Sequence, residues 1–182
     1  MRIGWSAMIS VKELKFKICL IGDWGVGKTS LIRKYVLDQY DDIYISTLGT
    51  KTTKKRMTFK KNEKQFINLT LQIWDVMGQK EFYKIQTFAF QGTQAAFIVC
   101  DITRKESVES INQWREQLFK ITEKIPIIIL VNKNDLQNKV ELTSKELKTV
   151  SQQLHSPILF TSAKTGENVE SAFLEIGKTL IS

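Results

Sequence analysis

The residues Gly22-Asp23-Trp24-Gly25-Val26-Gly27-Lys28-Thr29 combine three spaced glycines with a terminal Lys-Thr pair. They follow an apolar run over 16–21 and open an amphipathic run at Lys28. Gly22 and Gly27 permit a tight turn, so that backbone N–H groups and a helix N-terminus converge on phosphate oxygens. Lys28 supplies a cation for terminal phosphates, and the Thr29 hydroxyl a hard oxygen for Mg²⁺. A merely flexible glycine-rich turn is the bland alternative. A strand before the segment and a helix after it favour the phosphate-binding loop.

Two further polar segments follow apolar runs. Asn132-Lys133-Asn134-Asp135 comes after the run over 126–131. The Asp135 carboxylate can accept two hydrogen bonds, from the N1–H and exocyclic amine of guanine, which adenine does not offer. Lys133 can lay its aliphatic stem along the base, and Asn132 can tie this loop to the phosphate loop. Thr161-Ser162-Ala163-Lys164 closes the next apolar run, where a backbone N–H near Ala163 can meet the guanine O6. Alone, each four-residue pattern is weak. Three at successive strand ends, each suited to part of one nucleotide, are not.

The elements that position these loops alternate. Strands are expected over 16–21, 52–59, 66–74, 95–101, 126–132 and 157–161, with the second and third joined as a hairpin around 61–64. The later strands are continuous apolar runs, as in a parallel sheet covered on both faces. Helices are expected over 28–38, 107–121 and 143–154, the last opened by a Thr143–Glu146 capping box, with a final one capped by Asn168. This is a doubly wound α/β pattern, in which ligands bind beyond the carboxyl ends of the strands.

Composition sets the outer limits. At 182 residues, with two prolines and no linker, the chain is one domain, and no apolar run reaches bilayer-spanning length. Cys19 and Cys100 lie within apolar runs and read as reduced core thiols in a cytoplasmic setting. The single histidine, His155, excludes a histidine metal cluster or a Ser-His-Asp triad. The net charge of +8 invites a nucleic-acid or anionic-membrane reading. Much of it lies in one stretch holding Lys51, Lys54, Lys55, Arg56, Lys60, Lys61 and Lys64 against Glu63 alone. That stretch reads as a solvated hairpin guarding an edge strand, with no specific nucleic acid expected.

The three loops, with Ser46-Thr47-Leu48-Gly49 and Leu71–Gln79, resemble the guanine-nucleotide motifs of the Ras-like small GTPases. Tyr44-Ile45-Ser46-Thr47-Leu48-Gly49 and the 71–75 stretch are most similar to the Rab branch. The resemblance runs from about Phe16 to the final helix. It implies a P-loop NTPase three-layer sandwich: a six-stranded, mostly parallel sheet with one antiparallel hairpin strand, and five helices. Residues 1–14 would form an N-terminal extension and 15–182 the domain.

The resemblance also implies the site. GTP or GDP would be held by Trp24, Gly25, Val26, Gly27, Lys28, Thr29 and Ser30, by Tyr40, Tyr44, Thr47 and Gly78, and by Asn132, Lys133, Asp135, Ser162, Ala163 and Lys164. Mg²⁺ would be held by Thr29, Thr47 and Asp75, and Gln79 would orient the attacking water with Lys28 and Thr47 assisting. Tyr40 would pack on the guanine and Tyr44 cover the phosphates. Effector, exchange-factor and activating proteins would dock through Tyr40–Thr52 and Val76–Phe90 on a monomer.

Departures from the pattern matter equally. Trp24 replaces a small residue beside the γ-phosphate. Its indole would either block an incoming arginine, which makes a nucleotide-binding scaffold with little hydrolysis the alternative function, or swing outward towards Met77. Val76-Met77 stands for the usual Thr-Ala, and Gly49-Thr50-Lys51-Thr52 for Gly-Val-Asp-Phe. Residue 2 is Arg and the sequence given ends Thr179-Leu180-Ile181-Ser182, with no lipidation signal in it, so membrane contact is expected to be weak or indirect. A P-loop kinase is disfavoured, because no arginine-rich acceptor lid is evident.

Overall fold

The structure is a computed structural model that describes residues 9–36, 45–47 and 50–182, with only the backbone at 45–47, Lys80 and Ser144. Residues 1–8, Tyr40, Tyr44, Leu48 and Gly49 lie outside the described residues, as does the Thr47 side chain. One sheet organises the fold. Its strands are β1 (Ser10–Ile21), β2 (Ile45–Thr47), β3 (Thr50–Asn62), β4 (Gln65–Val76), β5 (Ala95–Asp101), β6 (Ile127–Asn132) and β7 (Ile158–Phe160), arranged β2-β3-β4-β1-β5-β6-β7. β1 runs parallel to both β4 and β5, and β5-β6-β7 continue in parallel. β3 is antiparallel to β4 through the expected hairpin.

The α/β fold class and all six expected strands are present, with two corrections. Among the described residues the sheet has seven strands, because the short β2 pairs antiparallel with β3, Ile45 opposite Thr52. β1 starts at Ser10, so residues 10–14 belong to the sheet and not to an extension. β4 is long enough to pair with them, Ser10 opposite Gln65 through Leu14 opposite Leu69, and the Ser10 N–H donates to the Lys64 carbonyl at 2.7 Å.

The described helices are α1 (Lys28–Val36), α2 (Tyr83–Phe90), α3 (Lys105–Glu109), α4 (Ile111–Phe119), α5 (Ser144–Leu154) and α6 (Val169–Ile181). Six segments replace the expected five, because the 107–121 helix starts two residues earlier and is interrupted at Ser110. The Ser110 hydroxyl bonds back to the Glu106 carbonyl and out to the Asp23 carboxylate, both at 2.9 Å. The Thr143–Glu146 capping box forms as expected. Asn168 sits at the N-cap of α6 but makes no side-chain cap; its amide donates instead to the Phe160 carbonyl at 2.9 Å.

Alternation along the strands divides the core. Ile18, Leu20, Leu69, Leu71 and Ile73 face α1 and α6, whereas Cys19, Ile21, Ala96, Ile98 and Cys100 face α2 to α5. β5 and β6 are buried along their whole lengths, as strands covered on both faces must be. Both cysteines are free and buried, and burial pushes the Cys19 thiol up to about 11 and that of Cys100 to about 12. No described helix is long and apolar enough to cross a membrane.

Phe173 of α6 joins the layers: its ring stacks on Tyr35 of α1 at 3.8 Å and meets Phe97 of β5 edge-on at 5.0 Å. Phe173→Ala is expected to cost about 3–5 kcal/mol in urea unfolding, through lost transfer energy and the cavity left behind. A loss below about 1 kcal/mol would show that α6 does not depend on this contact.

Candidate nucleotide site

Because β1, β5, β6 and β7 are parallel, the loops after them gather at one edge of the sheet. The loop after β1 is shaped by its glycines. Gly22 has φ +133° and Gly27 φ +101°, conformations that a residue with a Cβ rarely adopts. A Cβ on Gly22 would overlap the Val99 carbonyl oxygen, and one on Gly27 the Asn132 amide nitrogen. The glycines thus let the loop fold against β5 and against the loop after β6.

Lys28 is buried, and its Nζ donates to the Gly22 and Asp23 carbonyls, each at 2.7 Å. Burial lowers its pKa to about 8, against the attraction of Asp75 and Asp23. Thr29 Oγ1 donates to Asp75 Oδ2 at 2.5 Å. Burial raises the Asp75 pKa even though the Thr29 hydrogen bond and the Lys28 charge oppose it. A desolvated carboxylate beside a hydroxyl is a hard-oxygen pair of the kind Mg²⁺ takes, so these residues fit that ion. Together they line a cleft of about 600 Å³ that is also bounded by Ser30, Thr50, Gly78 and Gln79.

Across that cleft, Gly78 packs directly on the phosphate loop, where an added Cβ would stand 2.6 Å from the Trp24 nitrogen. Gln86 of α2 fixes the same segment by donating to the Met77 carbonyl at 2.8 Å and the Gln79 carbonyl at 2.9 Å. Val76 is buried. Trp24 and Met77 both line the cleft, and the Trp24 side is 68% exposed, so most of the residue stands in water at the mouth.

The loop after β6 meets the others through one amide. Asn132 is buried and donates from Nδ2 to the Val26 carbonyl at 2.8 Å, the tie to the phosphate loop that its position in the sequence suggests. Its Oδ1 accepts from Ala163 N–H at 3.2 Å and from the Thr161 hydroxyl at 3.3 Å. The Ala163 N–H, read from the sequence as a candidate for guanine O6, is therefore shared with Asn132. Asp135 Oδ1 accepts from the buried Ser162 hydroxyl at 2.6 Å, while Lys164 Nζ lies 4.0 Å from Oδ2. The carboxylate is thereby aimed by the last loop. Lys133, at φ +65°, pairs with Asp101 at 2.5 Å.

Asp101, Asp23, Arg104 and Trp114 belong to this constellation although the sequence reading passed over their roles. Buried Asp101, at the end of β5, holds Lys133 on one side and, at 3.8 Å, Arg104 Nε on the other. Burial alone would raise its pKa, but the Lys133 hydrogen bond and those from Thr103 N–H and hydroxyl hold it below the usual carboxylate range. Arg104 Nη2 donates to the Trp24 carbonyl at 2.9 Å. Asp23 accepts from Trp114 Nε1 at 2.7 Å as well as from Ser110, which locks the phosphate loop to α4. The position of Asp101 at a strand's carboxyl end is the signal that could have marked it.

A sequence profile of the Ras family matches residues 17–182. The chain is 33% identical over 181 residues to the Ypt/Rab-type GTPase YPT7 of Saccharomyces cerevisiae, covering 96% of this chain and 85% of that protein. It is 35% identical over 166 residues to the GTP-binding protein ypt1 of Schizosaccharomyces pombe, covering 91% and 79%. To the Ras-related protein Rab-1A of Dictyostelium discoideum it is 36% identical over 160 residues, covering 87% and 77%. The chain therefore belongs to the Ras family of small GTPases, in its Rab branch.

Proposed function

We propose that this chain is a guanine-nucleotide switch that binds GTP and GDP with Mg²⁺, hydrolyses GTP slowly, and acts in membrane traffic as a peripheral component. The observation that carries the reading is the Asn132 amide, which holds the phosphate loop and the two base-side loops at hydrogen-bond distance from one another. Asp135, oriented by Ser162, would accept from the two guanine donors, and Lys133 would flank the base. Lys28 would exchange its two loop carbonyls for phosphate oxygens. Thr29 and Asp75 would hold Mg²⁺, with Thr47 as a further ligand; the ion, when bound, neutralises charge on the phosphate oxygens. Gly78 N–H would sense the γ-phosphate and Gln79 align the attacking water, its loop braced by Gln86. Phosphoryl transfer in such a site needs positioning and charge stabilisation more than covalent chemistry.

Tyr40 and Tyr44 would cover the nucleotide, and the segments Tyr40–Thr52 and Val76–Phe90 would present its state to effector, exchange-factor and activating proteins. The exposure of Trp24 favours the outward reading over a block at the phosphate end, and so favours a hydrolysing switch over a scaffold.

Single-turnover GTP hydrolysis with Mg²⁺ tests this reading. Wild type should hydrolyse measurably and Gln79→Ala at least tenfold more slowly, about 1.4 kcal/mol of barrier. Trp24→Gly should stay within about twofold of wild type, well under 1 kcal/mol. No hydrolysis in wild type, with fast hydrolysis in Trp24→Gly, would establish the scaffold alternative. Affinity also has a pH signature. Phosphate favours charged Lys28, so below about pH 8 binding needs no extra proton, whereas above it a proton must be taken up. GDP affinity should therefore be flat from about pH 7 to 7.5, above the second ionisation of its terminal phosphate near pH 6, and fall towards tenfold per pH unit above 8, as titration calorimetry would read. A flat profile to pH 9.5 would mean that Lys28 either keeps its charge in the free site or does not contact phosphate.

A further inference from the structure

β1, β3 and β4 outrun the helices that cover the central sheet. On the side of α2 the covering stops at Lys17, whose Nζ donates to the Gln91 carbonyl just past α2 at 2.7 Å and lies 3.7 Å from the centre of the Trp74 ring. Beyond that point the register sets three further rows on the same side of the sheet: Lys15–Thr70–Arg56, Glu13–Asn68–Thr58 and Val11–Phe66–Lys60. The opposite side of the same strands is covered, since Leu14, Phe16, Met57 and Phe59 pack into the core with α6. Among the described residues, one side of this tongue is protein interior and the other is open.

The open side is strongly basic. Lys15, Lys54, Arg56 and Lys60 are all exposed, and none of them belongs to an ion pair among the described residues. The one carboxylate on these rows, Glu13, is engaged by the Asn68 amide at 2.7 Å, and Asn68 in turn accepts from the Thr58 hydroxyl at 2.8 Å. That cross-strand chain draws this carboxylate towards the middle strand, and it forms no ion pair with the flanking cations. Apolar surface lies among them: Val11 is 51% exposed, Ile9 just before β1 is 67% exposed, and Phe66 is half-buried.

We propose that this uncovered sheet face docks on an anionic lipid bilayer. From Lys54 to Lys60 the cations of β3 span about 20 Å at roughly 3.3 Å per residue, and Lys15 stands two strands away, about 10 Å. The middle strand carries the short side chains of Asn68 and Thr70 between those flanks, so the surface is broad and shallow. A bilayer meets such a surface with many mobile negative headgroups, and each juxtamembrane Lys or Arg adds to the attraction. An acidic peptide would need a groove or anchor pocket to hold its side chains, and the cleft that Arg56 and Thr58 border is completed by Lys34 and Tyr35 of α1 and by Val169, Glu170 and Leu174 of α6, the helices of the covered side. Val11, Ile9 and Phe66 can enter the headgroup layer, which a purely solvating lysine array would not require. Guarding an edge strand accounts for cations on β3, but not for their coincidence with exposed apolar residues on one side.

The test is co-sedimentation with vesicles of 30% phosphatidylserine in phosphatidylcholine, and with phosphatidylcholine alone, at two salt concentrations. Wild type should bind the anionic vesicles, more weakly at higher salt, and ignore the neutral ones. Lys54→Gln/Arg56→Gln/Lys60→Gln should bind at least 30-fold more weakly, at roughly fivefold per cation. Lys145→Gln/Lys148→Gln/Lys178→Gln removes the same charge from α5 and α6 and should stay within about threefold. Urea unfolding midpoints, not nucleotide binding, establish that each variant is folded, so the outcome is independent of the function proposed above. Absence of wild-type binding, or equal losses in both triple variants, would overturn the proposal. So would binding of poly-glutamate but not vesicles through Lys54, Arg56 and Lys60, which would make the partner an acidic protein.

Discussion

A single buried amide, that of Asn132, is the contact on which the site depends. It closes hydrogen bonds to the Val26 carbonyl, the Ala163 N–H and the Thr161 hydroxyl in a place without solvent. A buried amide must be satisfied by fixed partners, because an unmade bond there costs the full desolvation of the group. Satisfying this one brings the loops after β1, β6 and β7 to fixed separations. The left-handed turn at Gly27 follows from the same demand, since a side chain there would occupy the space of the amide.

Charge is distributed around that centre with the same economy. Asp101 reaches Lys133 on the base side and Arg104 on the phosphate side, so one buried carboxylate balances cations from two loops. Asp23 does the equivalent work between the phosphate loop and α4 through Trp114 and Ser110. Lys28 stays buried with its charge directed into the loop carbonyls. A site made this way keeps a buried cation at the end of the phosphate loop, facing Asp75 and Asp23. The same fold gathers Lys15, Lys54, Arg56 and Lys60 on the tongue formed by β1, β3 and β4, where no described helix covers the sheet.

The chemistry-bearing loops were legible in the sequence because each is short, local and bounded by an apolar run. Gly22 to Thr29, Asn132 to Asp135 and Thr161 to Lys164 were all placed at strand ends, and the structure brings them together. What could not be read depends on contacts between distant residues. Asp101, Arg104 and Trp114 look ordinary in their own segments, and their roles appear only when β5 and α4 lie beside the phosphate loop. β1 was read six residues short because Lys12, Glu13 and Lys15 leave no apolar run over Ser10–Lys15, and it is pairing with β4 that makes them a strand. Two details at helix ends are likewise tertiary: the Ser110 hydroxyl reaches Asp23 as well as the local Glu106 carbonyl, and the Asn168 amide donates to Phe160 where a local cap was expected.

The central claim is that these loops form one site that reads guanine at one end and phosphate at the other. Titration calorimetry of the wild-type chain with GDP and with ADP, both in Mg²⁺, tests it most directly. Asp135 would pair with two donors that only guanine offers, and sites built to hydrogen-bond a group reject analogues lacking it by about 10⁴. The account predicts GDP binding at least 10³-fold tighter than ADP, within that range. Equal affinity for the two nucleotides, or no binding of either, would contradict it.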